Sequence, residues 1–205
     1  WMILIARTSR EHKYDGLTYF LCPIEGHEGV TVRPLVKMTG ETGFNEVLFE
    51  DAVVSDTMRL DDVGKGWTVA MTTLTHERGA AEGAGGGGGD TVHPIEQLIN
   101  LSRSSYRDGK RMADDPVIRD RIVQQAITNE GFRQSQKRAR VPALVDHPMR
   151  IPLQGKVTIT ELIQSNARLG VDIAGAASTL YKLDEAAPDA GHWPLAYMNS
   201  YGNTI

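Results

Sequence analysis

Cysteine is nearly absent from this sequence. The single one, Cys22, excludes an internal disulfide and fits a reducing cytosol. It lies in the apolar run LTYFLCPI, where a small packed hydrophobe is the plain reading. No run approaches the roughly 18 consecutive apolar residues of a membrane helix. Neither sign of charge dominates: Lys and Arg number 22, Asp and Glu 26, for a net charge of -4. That balance gives no electrostatic footprint for nucleic acid or an anionic membrane. The six histidines (His12, His27, His76, His93, His147, His192) are scattered, with no H-x-x-x-H and no second cysteine, so no metal site is expected. A G-x-S-x-G elbow and a Walker loop are both missing, which leaves serine-nucleophile hydrolysis and P-loop phosphate transfer unsupported. An initiating Met and a secretory lead-in are missing too. Trp1 opens directly on a strand pattern, as in a piece that starts inside a sheet.

What is present falls into a β part and an α part. WMILIART is a continuous apolar run of the kind buried on both faces of a sheet. A charged turn at 9–16 follows, then a strand at 17–23 ended by Pro23. Residues 30–36 alternate through Val30, Val32 and Leu35, and a glycine-containing turn leads to a strand at 45–54. Short strands joined by hairpin-type turns predict part of an antiparallel sandwich or barrel. From Gly66 the periodicity becomes helical, with segments expected at 66–82, 94–106, 116–138, 157–183 and 193–201. Asp115 is placed to cap the third, with Pro116 at its first position. Prolines at 142, 148 and 152 make 141–153 a connection. The composition changes near 61–66, which divides the chain into 1–62 and 63–205. The fold class expected is α+β, with an antiparallel β part followed by an all-α bundle. Gly83, Gly85 and Gly88 match G-x-G-x-x-G, but a phosphate-binding fingerprint needs a strand before it. A helix break or a close backbone approach explains that run better.

The stretch around which the rest is organised is GKGWTVAMTTLTHERGAA (64–81). Trp67, Ala70, Met71 and Leu74 trace one stripe down a helix. One turn further, the stripe reaches Glu77, Arg78 and Ala81. A carboxylate on a core stripe is costly unless paired, protonated or working. Periodicity alone leaves two readings open, a structural Glu–Arg contact or a general base.

The order of motifs resembles the acyl-CoA dehydrogenase family. The matching residues are 47–54 (VLFEDAVV), then Gly64-Lys65-Gly66-Trp67, Ala70-Met71 and His76-Glu77-Arg78-Gly79. WMILIARTS with LTYFLCPI resembles the second half of that family's middle β-domain. Asp114-Asp115-Pro116-Val117-Ile118-Arg119 and Gly202-Asn203-Thr204-Ile205 are similar to its bacterial members acting on bulky or long acyl chains, including sterol-degrading types. The resemblance implies that 1–62 is the end of the middle β-domain and 63–205 an incomplete C-terminal bundle. It implies FAD-dependent α,β-dehydrogenation of an acyl-CoA thioester, the α-proton going to a glutamate and the β-hydrogen leaving as hydride to flavin N5. Carried over by motif, Glu77 is the catalytic base, and Arg78, Leu74 and Thr75 contact substrate. A carboxylate desolvated on an apolar stripe is shifted toward neutrality, where a base works best. The implied partners are an electron-transfer flavoprotein and further subunits of a homo- or hetero-tetramer, and the implied location is cytoplasmic.

The chain departs from the family pattern in places. No R-x-x-F-G follows the first helix, and Thr75 stands where some members carry an acid. The family's W-x-[TS] and G-T-S-E segments are not in this sequence, so its flavin-binding residues are expected mostly elsewhere. A same-fold oxidase or flavin monooxygenase, or a catalytically silent partner subunit, stays open as an alternative.

Overall fold

The structure is a computed structural model that describes residues 1–83, 94–138, 141, 143, 151–181 and 184–204, with the side chains of 77–83 and 151–154 outside that description. The glycine run after residue 83 and the middle of the expected 141–153 connection therefore lie outside the described residues. Contacts group the chain into two compact units, Trp1–Gly87 and Gly88–Ile205.

The first unit holds β1 (Met2–Arg7), β2 (Leu17–Cys22), β3 (Val30–Val36), β4 (Thr42–Phe49), β5 (Arg59–Leu60) and helix α1 (Gly66–Gly83). Strands β1, β2 and β5 form one antiparallel sheet in the order β1-β2-β5, with Met2 opposite Cys22 and Tyr19 opposite Leu60. Strands β3 and β4 form a separate hairpin running from Val30 opposite Phe49 to Val36 opposite Thr42. Both sheets are antiparallel as expected, and among the described residues no closed barrel forms.

Two strand readings are corrected. β1 is not buried on both faces. Met2, Leu4 and Ala6 are half-buried, while Ile3 is 53% exposed and Ile5 41%. Side chains alternate with period two, and Ile3 shares its face with Leu21, which is itself exposed. Among the described residues nothing covers that face along β1. The fourth strand runs earlier than 45–54, because the hairpin sets its register. The turn closes with Lys37 N–H donating to the Glu41 carbonyl at 2.8 Å, with Gly40 at φ 73°. Pairing stops where β3 begins, and the chain leaves through Asp51 at φ 52°. Val53 is 82% exposed.

Helix α1 stands with the strands. Ala70 is buried, and the buried Tyr19 on β2 brings its hydroxyl to 3.4 Å from Thr73 Oγ1. The compositional change at 61–66 therefore marks where helix begins, while the contacts of this first helix remain with the sheet.

The second unit contains α2 (Pro94–Ser104), β6 (Tyr106–Arg107), β7 (Lys110–Arg111), α3 (Pro116–Arg138), α4 (Ile151–Ala174) and α5 (His192–Asn203). Its core joins Ile95, Leu98 and Leu101 of α2, Met112 of the short turn between β7 and α3, Ile118 and Ile122 of α3, Leu169 and Ile173 of α4 and Trp193 of α5. Of the apolar residues expected along α3, Ile118 and Ile122 are buried, whereas Val117 and Val123 are exposed. Beside this core runs a polar seam between α3 and α4. Arg121 pairs with Asp172 at 2.6 Å, Ser165 donates to Gln125 Oε1 at 3.0 Å, and the amides of Asn129 and Asn166 face each other at 3.4 Å.

The expected cap is present: Asp115 Oδ1 accepts from Val117 N–H at 2.8 Å and Ile118 N–H at 3.2 Å. Asp115→Ala is expected to lower stability by about 1 kcal/mol in a urea melt, and Asp115→Asn to restore most of it. Three boundaries differ from expectation. α2 stops at Ser104 because the chain turns through Asp108 (φ 52°) and Gly109 (φ 75°) between β6 and β7. That Asp-Gly pair was the available hairpin signal. α4 runs over Ile151–Ala174 and not 157–183. Pro152 fits its first turn, where no N–H is required, and Gly175 at φ 58° ends it in the left-handed conformation that glycine allows. α5 continues to Asn203, past Gly202.

Candidate functional site

The site expected from the sequence lies on α1, and the G-x-G turn before it explains how that helix is seated. Gly64 (φ 88°) donates its N–H to Thr18 Oγ1 at 3.0 Å. Thr18 is fully buried and shares a 2.7 Å hydrogen bond with Thr8. A Cβ at Gly66 would lie 2.6 Å from the Thr18 carbonyl carbon, and one at Gly64 would lie 2.4 Å from the Asp15 carbonyl oxygen. Only glycine allows the chain to pass this close to β2. The helix then starts against the strand, with Val69 N–H donating to the Lys65 carbonyl at 3.2 Å.

This seating changes which stripe of α1 is packed. Gly66 and Ala70 are buried, and Thr73 meets Tyr19; these positions follow the i, i+4, i+7 pattern of one helix face. The stripe read from the sequence as core is different. Trp67 is 38% exposed and Leu74 39% exposed, with Met71 half-buried between them. Among the described side chains of the expected stripe, Ala70 alone is buried.

Of the residues assigned to substrate, Leu74 and Thr75 are both on the accessible side of α1. The Thr75 hydroxyl donates to the Met71 carbonyl at 2.7 Å, a local i-4 bond that leaves its oxygen able to accept. Glu77 and Arg78 fall within α1, and their side chains lie outside the described residues.

Two features of this unit were not visible in the sequence. Tyr14, from the turn after β1, stacks on Trp67 with ring centroids 4.6 Å apart. Lys13 Nζ lies 4.9 Å from the Tyr14 ring centre. Tyr14 and Trp67 are more than fifty positions apart, so no local pattern signals their pairing.

The second unit has an open cleft of about 550 Å³, lined among others by Arg107, Asp115, Arg121, Asp172 and Gly175. Its guanidiniums are already engaged. Arg121 pairs with the Asp172 carboxylate, and Arg107 donates to the Asp172 backbone carbonyl at 2.8 Å. With the Asp115 carboxylate on the same wall, two positive groups face two negative ones. No buried side-chain polar atom among the described residues lacks a partner.

The sequence profile described as "Acyl-CoA dehydrogenase, C-terminal domain" matches residues 64–200. That match begins at the G-x-G turn, before the helix that packs on the sheet. Acyl-CoA dehydrogenase IpdE1 of Mycolicibacterium smegmatis is 31% identical over 211 residues, covering 100% of this chain and 48% of that protein. The chain spans about half the length of the full-length curated relatives it matches. Among solved structures, the Tcur3481–Tcur3483 steroid ACAD superposes with a TM-score of 0.77 at 19% identity, over 98% of this chain and 50% of that one. A structure described as an FAD-dependent dehydrogenase gives a TM-score of 0.72 at 18% identity, over 99% and 52%. Those identities carry the fold alone, and the profile carries the membership. With more than half its length matched by that profile, the chain belongs to the acyl-CoA dehydrogenase family.

Proposed function

We propose that the full-length protein is an acyl-CoA dehydrogenase that introduces an α,β double bond into an acyl-CoA thioester, with Glu77 as the base that removes the α-proton. The observation that carries this reading is the seating of α1. The Gly64 and Gly66 turn locks the helix to β2, and the helix leads along an accessible apolar stripe, Trp67–Met71–Leu74, to the turn bearing Glu77 and Arg78. That arrangement suits a thioester lying against α1. Glu77 takes the proton at its carboxylate, Leu74 excludes water from the approach, and Arg78 and Thr75 orient the acyl-thioester portion. A thioester α-proton is weakly acidic, so the carbonyl must be polarised as it leaves.

FAD is the cofactor proposed for the full-length protein. Its binding groups are proposed to lie mostly in parts of that protein other than residues 1–205. The division into a β-domain end (1–62) and a helical-bundle domain (63–205) is proposed on the same footing. So are a tetramer of like or related subunits, an electron-transfer flavoprotein as acceptor, a long or sterol-type acyl group as substrate, and a cytoplasmic location. Heteromeric assembly is favoured by the Tcur3481–Tcur3483 steroid ACAD, a structure described by two components, one chain of which shares this fold.

The full-length protein, produced with its neighbouring gene products, is expected to carry flavin absorbance that bleaches anaerobically on addition of an acyl-CoA. Absence of flavin under every partner condition would make the chain a silent subunit. Rapid peroxide formation in air would make it an oxidase.

A further inference from the structure

We propose that Tyr19 and Thr73 are positioning residues: their hydroxyl pair fixes the rotational setting of α1 one helical turn before Glu77. The proposal rests on the functional reading above, since it names what holds the residue to which that reading gives the proton. Register, hydrogen-bond direction and the make-up of the helix each point to the pair.

In a helix of about 3.6 residues per turn, positions spaced by four, three and four share one face. Gly66, Ala70 and Thr73 form the face packed on the sheet, and the next position of that series is Glu77. The accessible series Trp67, Met71 and Leu74 continues at Arg78 instead. The two series are one residue apart, about 100° around the axis. α1 runs through both positions to Gly83, so its setting at Thr73 carries into the turn that bears Glu77. The register position of the base is therefore on the sheet side, where a carboxylate is held away from water and shifted toward neutrality.

The hydrogen bonds run in one direction. Thr73 Oγ1 donates to the Val69 carbonyl at 3.0 Å. A hydroxyl has a single proton to give, so the Tyr19 hydroxyl, 3.4 Å away, is the donor to Thr73 Oγ1. Tyr19 is 3% exposed, and a phenol buried to that degree takes a partner. A chain of two bonds thus leads from the sheet through Thr73 into the backbone of α1. Its sheet end is firm, because Tyr19 lies on the middle strand, opposite Ile5 of β1 and Leu60 of β5.

The helix needs such a tether at this height. Three threonine hydroxyls bond back to the carbonyl four residues earlier: Thr72 to Thr68 at 3.1 Å, Thr73 to Val69 at 3.0 Å and Thr75 to Met71 at 2.7 Å. Back-bonding of this kind weakens and bends a helix. The close approach of Gly64 and Gly66 to the β2 side holds only the start of α1, two turns before Thr73. A base must lie within hydrogen-bonding reach of the proton it takes, and a displacement of ~1 Å can cost about 10²-fold in rate. A helix free to turn or bend beyond Gly66 would lose that reach.

The test measures anaerobic flavin bleaching by an acyl-CoA in the full-length protein, together with flavin content and the Kd for the acyl-CoA. Tyr19→Phe and Thr73→Val each remove one hydroxyl and keep the shape of the side chain. Each is expected to slow bleaching by about tenfold, a part of the loss for a fully misplaced group, with flavin content and Kd unchanged. Thr73→Ser, which keeps the hydroxyl, is expected to retain most of the rate. The double variant should be no slower than the slower single one, because both changes remove one tether. A pair that served stability alone would lower the melting temperature without separating rate from Kd. Wild-type rates in Tyr19→Phe and Thr73→Val, or a Thr73→Ser protein as slow as Thr73→Val, overturn the proposal. If Glu77→Gln bleaches like wild type, or the wild type dehydrogenates no acyl-CoA, the functional reading fails and hydrogen exchange decides the tether. Amides of α1 after Thr73 that exchange faster in Tyr19→Phe than in wild type uphold it, and equal exchange overturns it as well.

Discussion

Glu77→Gln in the full-length protein is expected to lower the rate of anaerobic flavin bleaching by an acyl-CoA by about 10³-fold, the middle of the range for a positioned general base. The amide keeps the size and most of the polarity of the carboxylate but cannot accept a proton at ordinary pH. Flavin content and the Kd for acyl-CoA should therefore stay close to wild type while the chemical step fails. Glu77→Asp retracts the carboxylate by one methylene and should fall between the two, because proton transfer depends on heavy-atom separation before acidity. A stopped-flow trace of the Gln variant that matches wild type would remove Glu77 from the mechanism.

The second large effect concerns the bundle. Trp193→Ala is expected to cost about 3–5 kcal/mol, as for a fully packed aromatic cut to a methyl. Trp193 is 3% exposed and belongs to the main core, and its indole N–H donates to Asp189 Oδ2 at 2.6 Å. The ring is accommodated by a missing side chain on α4. A Cβ at Gly170 would lie 1.9 Å from Trp193 Cε3 and 2.3 Å from Cδ2. Gly170→Ala should thus be destabilising despite its better helix propensity, by about 1–3 kcal/mol for an overpacked site. Trp193→Phe separates the contributions, because it keeps much of the apolar contact and loses the Asp189 bond. Guanidinium melts of the three variants measure these differences. A Gly170→Ala protein more stable than wild type would show that the ring has room to move.

Much of the local structure was legible because it is set by near neighbours in sequence. The strand at 30–36, the start of α1 at Gly66 and the cap at Asp115 all depend on residues within a turn or two. The misplaced boundaries have two physical causes. The strand expected at 45–54 shifted because hairpin register is decided by its partner β3, and α4 moved because a proline at the start of a helix is tolerated where one in the middle is not. The outward Ile3 and Ile5 follow the same rule, since an apolar run carries no record of which face has a neighbour.

The candidate site divides in the same way. Residue type and order at 64–81 determined the helix, the G-x-G turn and the Glu77-Arg78 pair, because these are short-range patterns with a family behind them. Which face of that helix packs was decided only by tertiary structure. Thr18 and Tyr19 lie about fifty residues upstream, and the approach of Gly66 to the Thr18 backbone turns the Gly66–Ala70–Thr73 face inward and leaves Trp67 and Leu74 accessible. The same long-range contact set brings Tyr14 onto Trp67. Sequence spacing reports neighbours along one helix, whereas the surface a ligand meets is assembled from segments that only the packed chain brings together.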